Sequence, residues 1–248
     1  MNSFGQLFRV QIFGESHGEC VGIVIDGCPA GLSLTAEDLL PDLERRKGGK
    51  QKGTTPRQEA DFPFIKSGVF NGTTTGAPIM ILFENNNTRS GDYDKQRSIP
   101  RPGHADMVAH QKYGGFEDYR GGGHFSARLT TGIVAAGALA KKLLGNQINI
   151  VAQVVEIGGE PDPEKGLQKA IDAKDSVGGL VECRVNGLPT GLGEPFFDSV
   201  ESNLAHVLFA IPAVKGVEFG AGFAAAKMYG TEHNDAIEDM AGKTRTNN

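Results

Sequence analysis

Residues 126–144 read SARLTTGIVAAGALAKKLL, and this stretch decides what kind of fold the chain adopts. Ser126 suits a helix N-cap, Lys141 and Lys142 suit the negative C-terminal end, and Gly145 suits the position beyond the last turn. Ahead of the lysines the run is apolar nearly all round. That predicts a helix buried on several sides rather than one resting on a surface. Gly132, Ala135, Ala136 and Gly137 are small enough to let neighbouring elements pack close.

Outward from this helix the pattern alternates between strands and helices. Residues 7–13 and 21–26 are short, apolar and β-branched, bounded by glycine, and read as strands. Thr35-Ala36-Glu37-Asp38 reads as a helix start with Leu39, Leu40 and Leu43 facing inward, although Pro41 would interrupt a helix begun at Thr35. Residues 148–157 read as a strand and 163–174 as an exposed helix. Val181, Cys183 and Val185 alternate with polar residues, as in a strand with one wet face. Val200, Leu204, Val207 and Leu208 have helical spacing. Mixed order with antiparallel-style alternation predicts an α+β fold. Ile25-Asp26-Gly27-Cys28-Pro29-Ala30-Gly31-Leu32 also matches Val185-Asn186-Gly187-Leu188-Pro189-Thr190-Gly191-Leu192. Both end a strand and precede a helix, which predicts two related halves, 7–145 and 148–230, within one domain spanning 1–248.

Composition narrows the function. The 248 residues include 35 glycines, about twice the usual ~7% share, and these suit tight turns or loops that approach a ligand. A net charge of −5 gives no global case for nucleic acid or an anionic membrane. Cys20, Cys28 and Cys183 are scattered and odd in number, which points away from a disulfide framework or zinc site and fits a reduced cytoplasm. The N-terminus lacks a basic region followed by an apolar run, so no signal peptide is expected. No stretch is long and apolar enough for a membrane span.

Three polar clusters are candidates for chemistry. The first is Phe13-Gly14-Glu15-Ser16-His17-Gly18. The second is Arg101-Pro102-Gly103-His104-Ala105-Asp106. The third is Arg120-Gly121-Gly122-Gly123-His124-Phe125-Ser126-Ala127-Arg128, a glycine-rich loop feeding a helix N-terminus and so a ready anion site. Arg128 opposes the dipole in the first turn, which is easier to understand if an anion shares the site. Arg45, Arg46, Lys47, Lys50, Lys52 and Arg57 form a basic, glycine-rich loop. It reads either as a phosphate clamp or as a solvated face. Histidine is the side chain whose unperturbed pKa lies near neutrality, so His17 and His104 suit proton transfer, though a lone histidine is often structural. His104 and His110 lack metal-ligand spacing, and no metal is expected. Residues 214–219 followed by Gly220-x-Gly222-x-x-Ala225 imitate a dinucleotide fingerprint, but no second apolar strand follows.

Asn2-Ser3-Phe4-Gly5, the His17 and His104 clusters, Tyr119-Arg120-Gly121-Gly122-Gly123 and Gly193-Glu194-Pro195-Phe196-Phe197-Asp198 together resemble the chorismate synthase family, in order and spacing, over residues 2–248. The resemblance implies helices sandwiched between antiparallel β-sheets with an internal pseudo-twofold repeat. It also implies conversion of 5-enolpyruvylshikimate 3-phosphate to chorismate by anti-1,4-elimination of phosphate, with reduced FMN as cofactor and a homotetrameric assembly. NADPH enters only if the protein reduces its own flavin, and otherwise a separate flavin reductase is the partner. By position the resemblance makes His17 and His104 the acid–base pair. It gives Ser16, Arg46, Lys52, Arg101 and Arg128 to the substrate, and His124, Phe125, Ser126, Asn247 and Asn248 to the flavin. His124-Phe125 stand where the family has Arg-Ser, and Lys52 where many members have Arg. The family pattern continues beyond Asn248 with further flavin-binding segments, so weak flavin binding by these 248 residues alone is expected. A non-catalytic phosphometabolite- or flavin-binding protein remains the alternative, and an RNA-binding module is disfavoured by the charge.

Overall fold

A computed structural model describes residues 2–48, 52–54, 59–87 and 99–244. The chain divides into two compact units, residues 1–187 and 188–248. The fold is α+β, as predicted.

The first unit is built on a five-stranded antiparallel sheet. Its strands are β1 (Ser3–Phe4), β2 (Arg9–Gly14), β3 (Cys20–Asp26), β4 (Phe64–Ile65) and β7 (Ile79–Glu84), in the order β1-β2-β3-β7-β4. A small hairpin, β5 (Val69–Phe70) and β6 (Thr73–Thr74), lies between β4 and β7 in sequence. Register sets the core. Val21, Ile23 and Ile25 of β3 stand opposite Phe83, Ile81 and Ile79 of β7. All six are fully buried. Alternation along a strand sends these side chains to one face, where burying each stabilises the fold by roughly 1.5–3 kcal/mol.

Onto that face packs α3 (Thr130–Leu144). Its buried residues Thr131, Gly132, Ala135, Ala136, Ala138 and Leu139 take up more than one side, as the all-round apolar sequence requires. Gly132 lets helix and strand touch: a methyl group there would sit 3.1 Å from the Ile23 side chain and 3.2 Å from the Gly22 carbonyl. Gly137 faces open space instead, so its small size is not used for packing. Ser126 caps a short 3₁₀ turn, Ala127–Leu129, accepting from the Arg128 N–H, and α3 follows directly.

Helix α1 (Leu40–Arg46) lies beside α3. It begins five residues after Thr35, which resolves the Pro41 conflict: the ring sits in the first turn, where its missing N–H costs nothing. Thr35 and Asp38 instead form a turn, the Thr35 N–H donating to Asp38 Oδ2 at 2.8 Å. Leu39 and Leu43 are buried, while Leu40 is half-buried. Lys141 and Lys142 of α3 pair with Asp42 and Asp38.

Helix α2 (Asp106–Tyr113) precedes the glycine triplet, whose three residues all have positive φ and break any helical turn in Arg120–Phe125. β8 (Asn149–Ile157) and β9 (Gly179–Asn186) form a separate two-stranded ribbon, with α4 (Pro163–Ala173) packed on β8. The expected strand at Val181, Cys183 and Val185 is present, but its apolar residues are not buried: Val181 is 68% exposed. Among the described residues no third strand pairs with the ribbon to help exclude water.

The second unit, described by itself, carries α5 (Val200–Leu208), with Ser199 as its cap, and the short α6 (Gly230–His233). Residues 214–219 are not a strand, because no described segment pairs with them, and Gly222–Lys227 is a 3₁₀ helix. The dinucleotide imitation therefore has no strand–turn–helix behind it.

Candidate functional site

The loop after β2 carries Ser16, fully buried, and His17, 8% exposed. It is stitched to the glycine triplet. The Ser16 N–H donates to the Gly123 carbonyl at 3.0 Å, and Ser16 Oγ donates to the Gly121 carbonyl at 3.0 Å. Gly121 has φ +61 and presses against His17: a Cβ there would lie 2.5 Å from His17 Nε2 and closer still to His17 Cδ2 and Ser16 Oγ. Glycine is required for both the backbone angle and the space. The first and third clusters of the sequence are thus one site.

The second cluster reaches the triplet through Arg101. Its guanidinium donates in a fork to Asp106, Nε to Oδ2 and Nη2 to Oδ1, both at 2.8 Å. That fork holds the Asp106 carboxyl below the usual carboxylate range. Arg101 Nη2 would lie 3.6 Å from a Cβ on Gly122. His104 is exposed, with Nδ1 3.1 Å from the Pro102 carbonyl. On the His17 side, Asp118 accepts a similar fork from Arg120 at 2.8 Å. Arg120 is the main cause of its lowered pKa, with the charge of His17 a smaller contributor. Two carboxylates are therefore kept ionised around the loop.

A second charged group lies beneath it. Arg128 is buried, and its guanidinium is held by the protein: Nη1 bonds Asp61, Nε donates to Asn85 Oδ1 at 3.0 Å, and Nη2 to the Glu84 carbonyl at 3.2 Å. Arg46 reaches the same aspartate, Nη1 to Oδ2 at 3.5 Å, and also donates to Thr130 Oγ1 and the Ala127 carbonyl. The anion beside Arg128 is thus the protein's own Asp61. Asn85 completes the group by donating from Nδ2 to the carbonyls of Glu15 and Gly18, which flank His17.

Of the six cations in the basic loop, the described ones meet different partners. Arg45 donates to the Ala152 carbonyl at 2.6 Å and Lys47 pairs with Glu44, so both are engaged with the protein. Lys52 is exposed, and its neighbour Gly53 abuts Leu167 of α4. Lys50, Arg57, Asn247 and Asn248 lie outside the described residues.

His124, Phe125 and Gly122 line a cavity of about 640 Å³ together with Tyr113, Phe116 and Asp118. The rings of Tyr113 and Phe125 are 6.2 Å apart, and His124 Nε2 is 3.0 Å from Asn2 Oδ1. Ser126 turns to Arg128 as a cap. Among the described residues, no group of three or more His, Cys, Asp or Glu side chains forms a metal cluster. Asp61, Asn85 and Asp118 were not singled out by sequence. Asp61 pairs with an arginine 67 positions away, and no local pattern announces that contact.

The family model described as chorismate synthase matches residues 8–248. The chain belongs to the chorismate synthase family. It is 72% identical to a chorismate synthase of Chitinophaga pinensis over 247 residues, covering all of this chain and 74% of that protein. It is 46% identical to the chorismate synthase of Methanosarcina mazei, covering 98% of this chain and 74% of the relative. A crystal structure of chorismate synthase superposes with a TM-score of 0.76 at 28% identity, over 98% of this chain and 77% of that one. Chorismate synthases are lyases of aromatic biosynthesis, and this chain is an enzyme of that kind.

Proposed function

We propose that the chain converts 5-enolpyruvylshikimate 3-phosphate to chorismate at the Ser16–His17 loop. The C–O bond to phosphate breaks with its electron pair leaving on oxygen. The hydrogen at the far end of the allylic unit leaves from the opposite face as a proton, taken by a base on the flavin side; its bonding pair forms one double bond, and the existing double bond shifts to form the other as phosphate departs. The observation that carries this reading is the pressing of His17 against the glycine triplet, in a site ringed by Arg101, Arg120 and their carboxylates. His17, buried at the triplet, donates a proton to the departing phosphate. His104, with Nδ1 directed to the Pro102 carbonyl, keeps Nε2 as the basic nitrogen for the flavin side. Arg46, Arg101 and Lys52 bring positive charge to the substrate's anionic groups, and Ser16 and Arg128 hold the loop and helix start around them.

Reduced FMN is the cofactor of this proposal. The cavity lined by Glu15, Gly122, His124 and Phe125 fits it: its volume falls within the roughly 300–1,000 Å³ typical of ligand pockets. Tyr113, Phe116 and Phe125 offer apolar ring faces and His124 a polar edge; Ser126, Asn247 and Asn248 are further candidates. When bound, reduced flavin acts as a reversible electron donor with no net redox change over the cycle. NADPH belongs to the reaction only if this protein reduces its own flavin, and a separate reductase serves otherwise.

A homotetramer is the proposed assembly, supported by apolar residues such as Val151, Val154 and Val181 on the exposed β8–β9 ribbon. A cytoplasmic location is supported by the three free cysteines. No helix among the described residues is long and apolar enough to cross a membrane. The proposed relation between halves 7–145 and 148–230 is supported by matching geometry. Gly27 and Gly187 both have φ +83 and pack on the carbonyls of Leu7 and Gln147 in the segments leading into β2 and β8.

Anaerobic turnover with reduced FMN tests the reading. His17→Ala and His104→Ala should each lower kcat by about 10²–10⁴-fold, the usual worth of general acid–base catalysis, with smaller effects on substrate affinity. Rates like wild type in both variants would reject it. Absence of any turnover by the wild-type chain, with substrate and flavin bound, would favour a non-catalytic binding protein.

A further inference from the structure

The loop that carries His17 has few residues of regular structure to hold it, yet it must present one imidazole reproducibly. The side chain that closes it comes from elsewhere. β7 ends at Glu84, and Asn85 follows, its backbone N–H donating to the Glu19 carbonyl at 3.0 Å so that pairing with the β3 side extends one step further. From there its amide nitrogen donates twice, to the Glu15 carbonyl at 3.0 Å and to the Gly18 carbonyl at 2.9 Å. These are the carbonyls on either side of Ser16 and His17. The Gly18 N–H itself donates to the Glu15 carbonyl at 3.1 Å, so the turn and the amide close on one another.

The other end of the amide is fixed as firmly. Oδ1 accepts from Arg128 Nε at 3.0 Å, and Arg128 is buried against Asp61, which also meets Arg46. Two acceptors on the nitrogen side and a cationic donor on the oxygen side leave one orientation for the amide. No other residue type has this combination at this length: a carboxylate lacks the donors, and an aliphatic lacks both.

We propose that Asn85 is a positioning residue for His17, holding the 15–18 loop closed and tying it through Arg128 and Asp61 to Arg46. Substrate charge felt at Arg46 and the placement of the histidine are then parts of one chain of ion pairs and hydrogen bonds. This rests on the acid–base reading of His17. Asn85 does not touch the reacting atoms; it acts through the loop.

The test uses the full chain with reduced FMN, in a double-mutant cycle of Asn85→Ala and His17→Ala, with Asn85→Asp as the second variant. Asn85→Asp keeps the acceptor for Arg128 and loses both donors to the loop, so it preserves the helix contact while releasing the turn. Both Asn85 variants should lower kcat by about 10–100-fold, the cost of misplacing a catalytic group by around an ångström, with KM changed little. In the His17→Ala background the same Asn85 substitutions should cost less than about twofold more, because residues acting through one group are not additive. Hydrogen exchange is the independent arm. The amides of residues 15–19 should lose protection in both Asn85 variants while those of β3 keep theirs. Losses that multiply in the double variant, or unchanged loop protection, would overturn the proposal. If His17→Ala alone runs at the wild-type rate, the acid–base reading falls, and the exchange arm still decides whether Asn85 holds the loop.

Discussion

Gly121→Ala is the most informative single substitution at this site, and Gly122→Ala is its control. Both positions have positive φ, +61 and +81, so either alanine takes on left-handed strain of roughly 1–2 kcal/mol. They differ in what the new methyl meets. At Gly122 the nearest atom is Arg101 Nη2 at 3.6 Å, an ordinary contact. At Gly121 the methyl would lie 2.5 Å from His17 Nε2, against an ordinary separation of at least 3.4 Å. One of two things follows. If Ser16 and His17 stay, the overpacking adds about 1–3 kcal/mol to the strain, so Gly121→Ala is less stable than Gly122→Ala by that amount. If His17 yields, it moves by about an ångström, a displacement worth on the order of 10²-fold in rate. Denaturant unfolding and anaerobic kcat measured on both variants separate the outcomes. Equal stability together with equal kcat in the two alanine variants would refute the close approach of His17 to the triplet, and with it the assembly of the site around that contact.

Two further outcomes follow from the charged groups. Arg46→Ala should weaken substrate binding by about 1.5–3 kcal/mol, the range for a charge-assisted contact, read by calorimetry; unchanged affinity would leave Arg46 as a purely internal partner of Asp61, Thr130 and Ala127. Asp106 and Asp118 have carboxyl pKa values lowered chiefly by Arg101 and Arg120, so their pairing contributes stability that is fully present above the unfolded-chain value of about 3.9 and is lost as pH falls through the lower folded values. Thermal unfolding followed from neutral pH into that acid range should show the loss, and Asp118→Asn should reduce its steepness; an identical acid profile in the variant would remove Asp118 from the account.

The sequence by itself determined several of the elements and the class of fold, but not β7 or α2. Hydrophobic period and end signals are local, so the strand read at 148–157, the helix at 163–174 and the buried helix were legible in the sequence, though Ser126 caps the short turn ahead of that helix rather than the helix itself. The motifs also named His17, the glycine triplet and Arg101 as site residues. Tertiary structure decided which partners the described cations meet. Arg128 opposes its own helix dipole, and the fold sets the Asp61 carboxylate beside it from within the chain. Arg45 and Lys47 looked like members of a clamp and are engaged by a carbonyl and a neighbouring glutamate. Asn85 carried no signal at all, since its importance lies in reaching two carbonyls about seventy positions earlier and an arginine 43 positions later. Periodicity records which side chains avoid water. Which charge finds which partner depends on pairings brought together by the sheet and by α3, and these have no period to read.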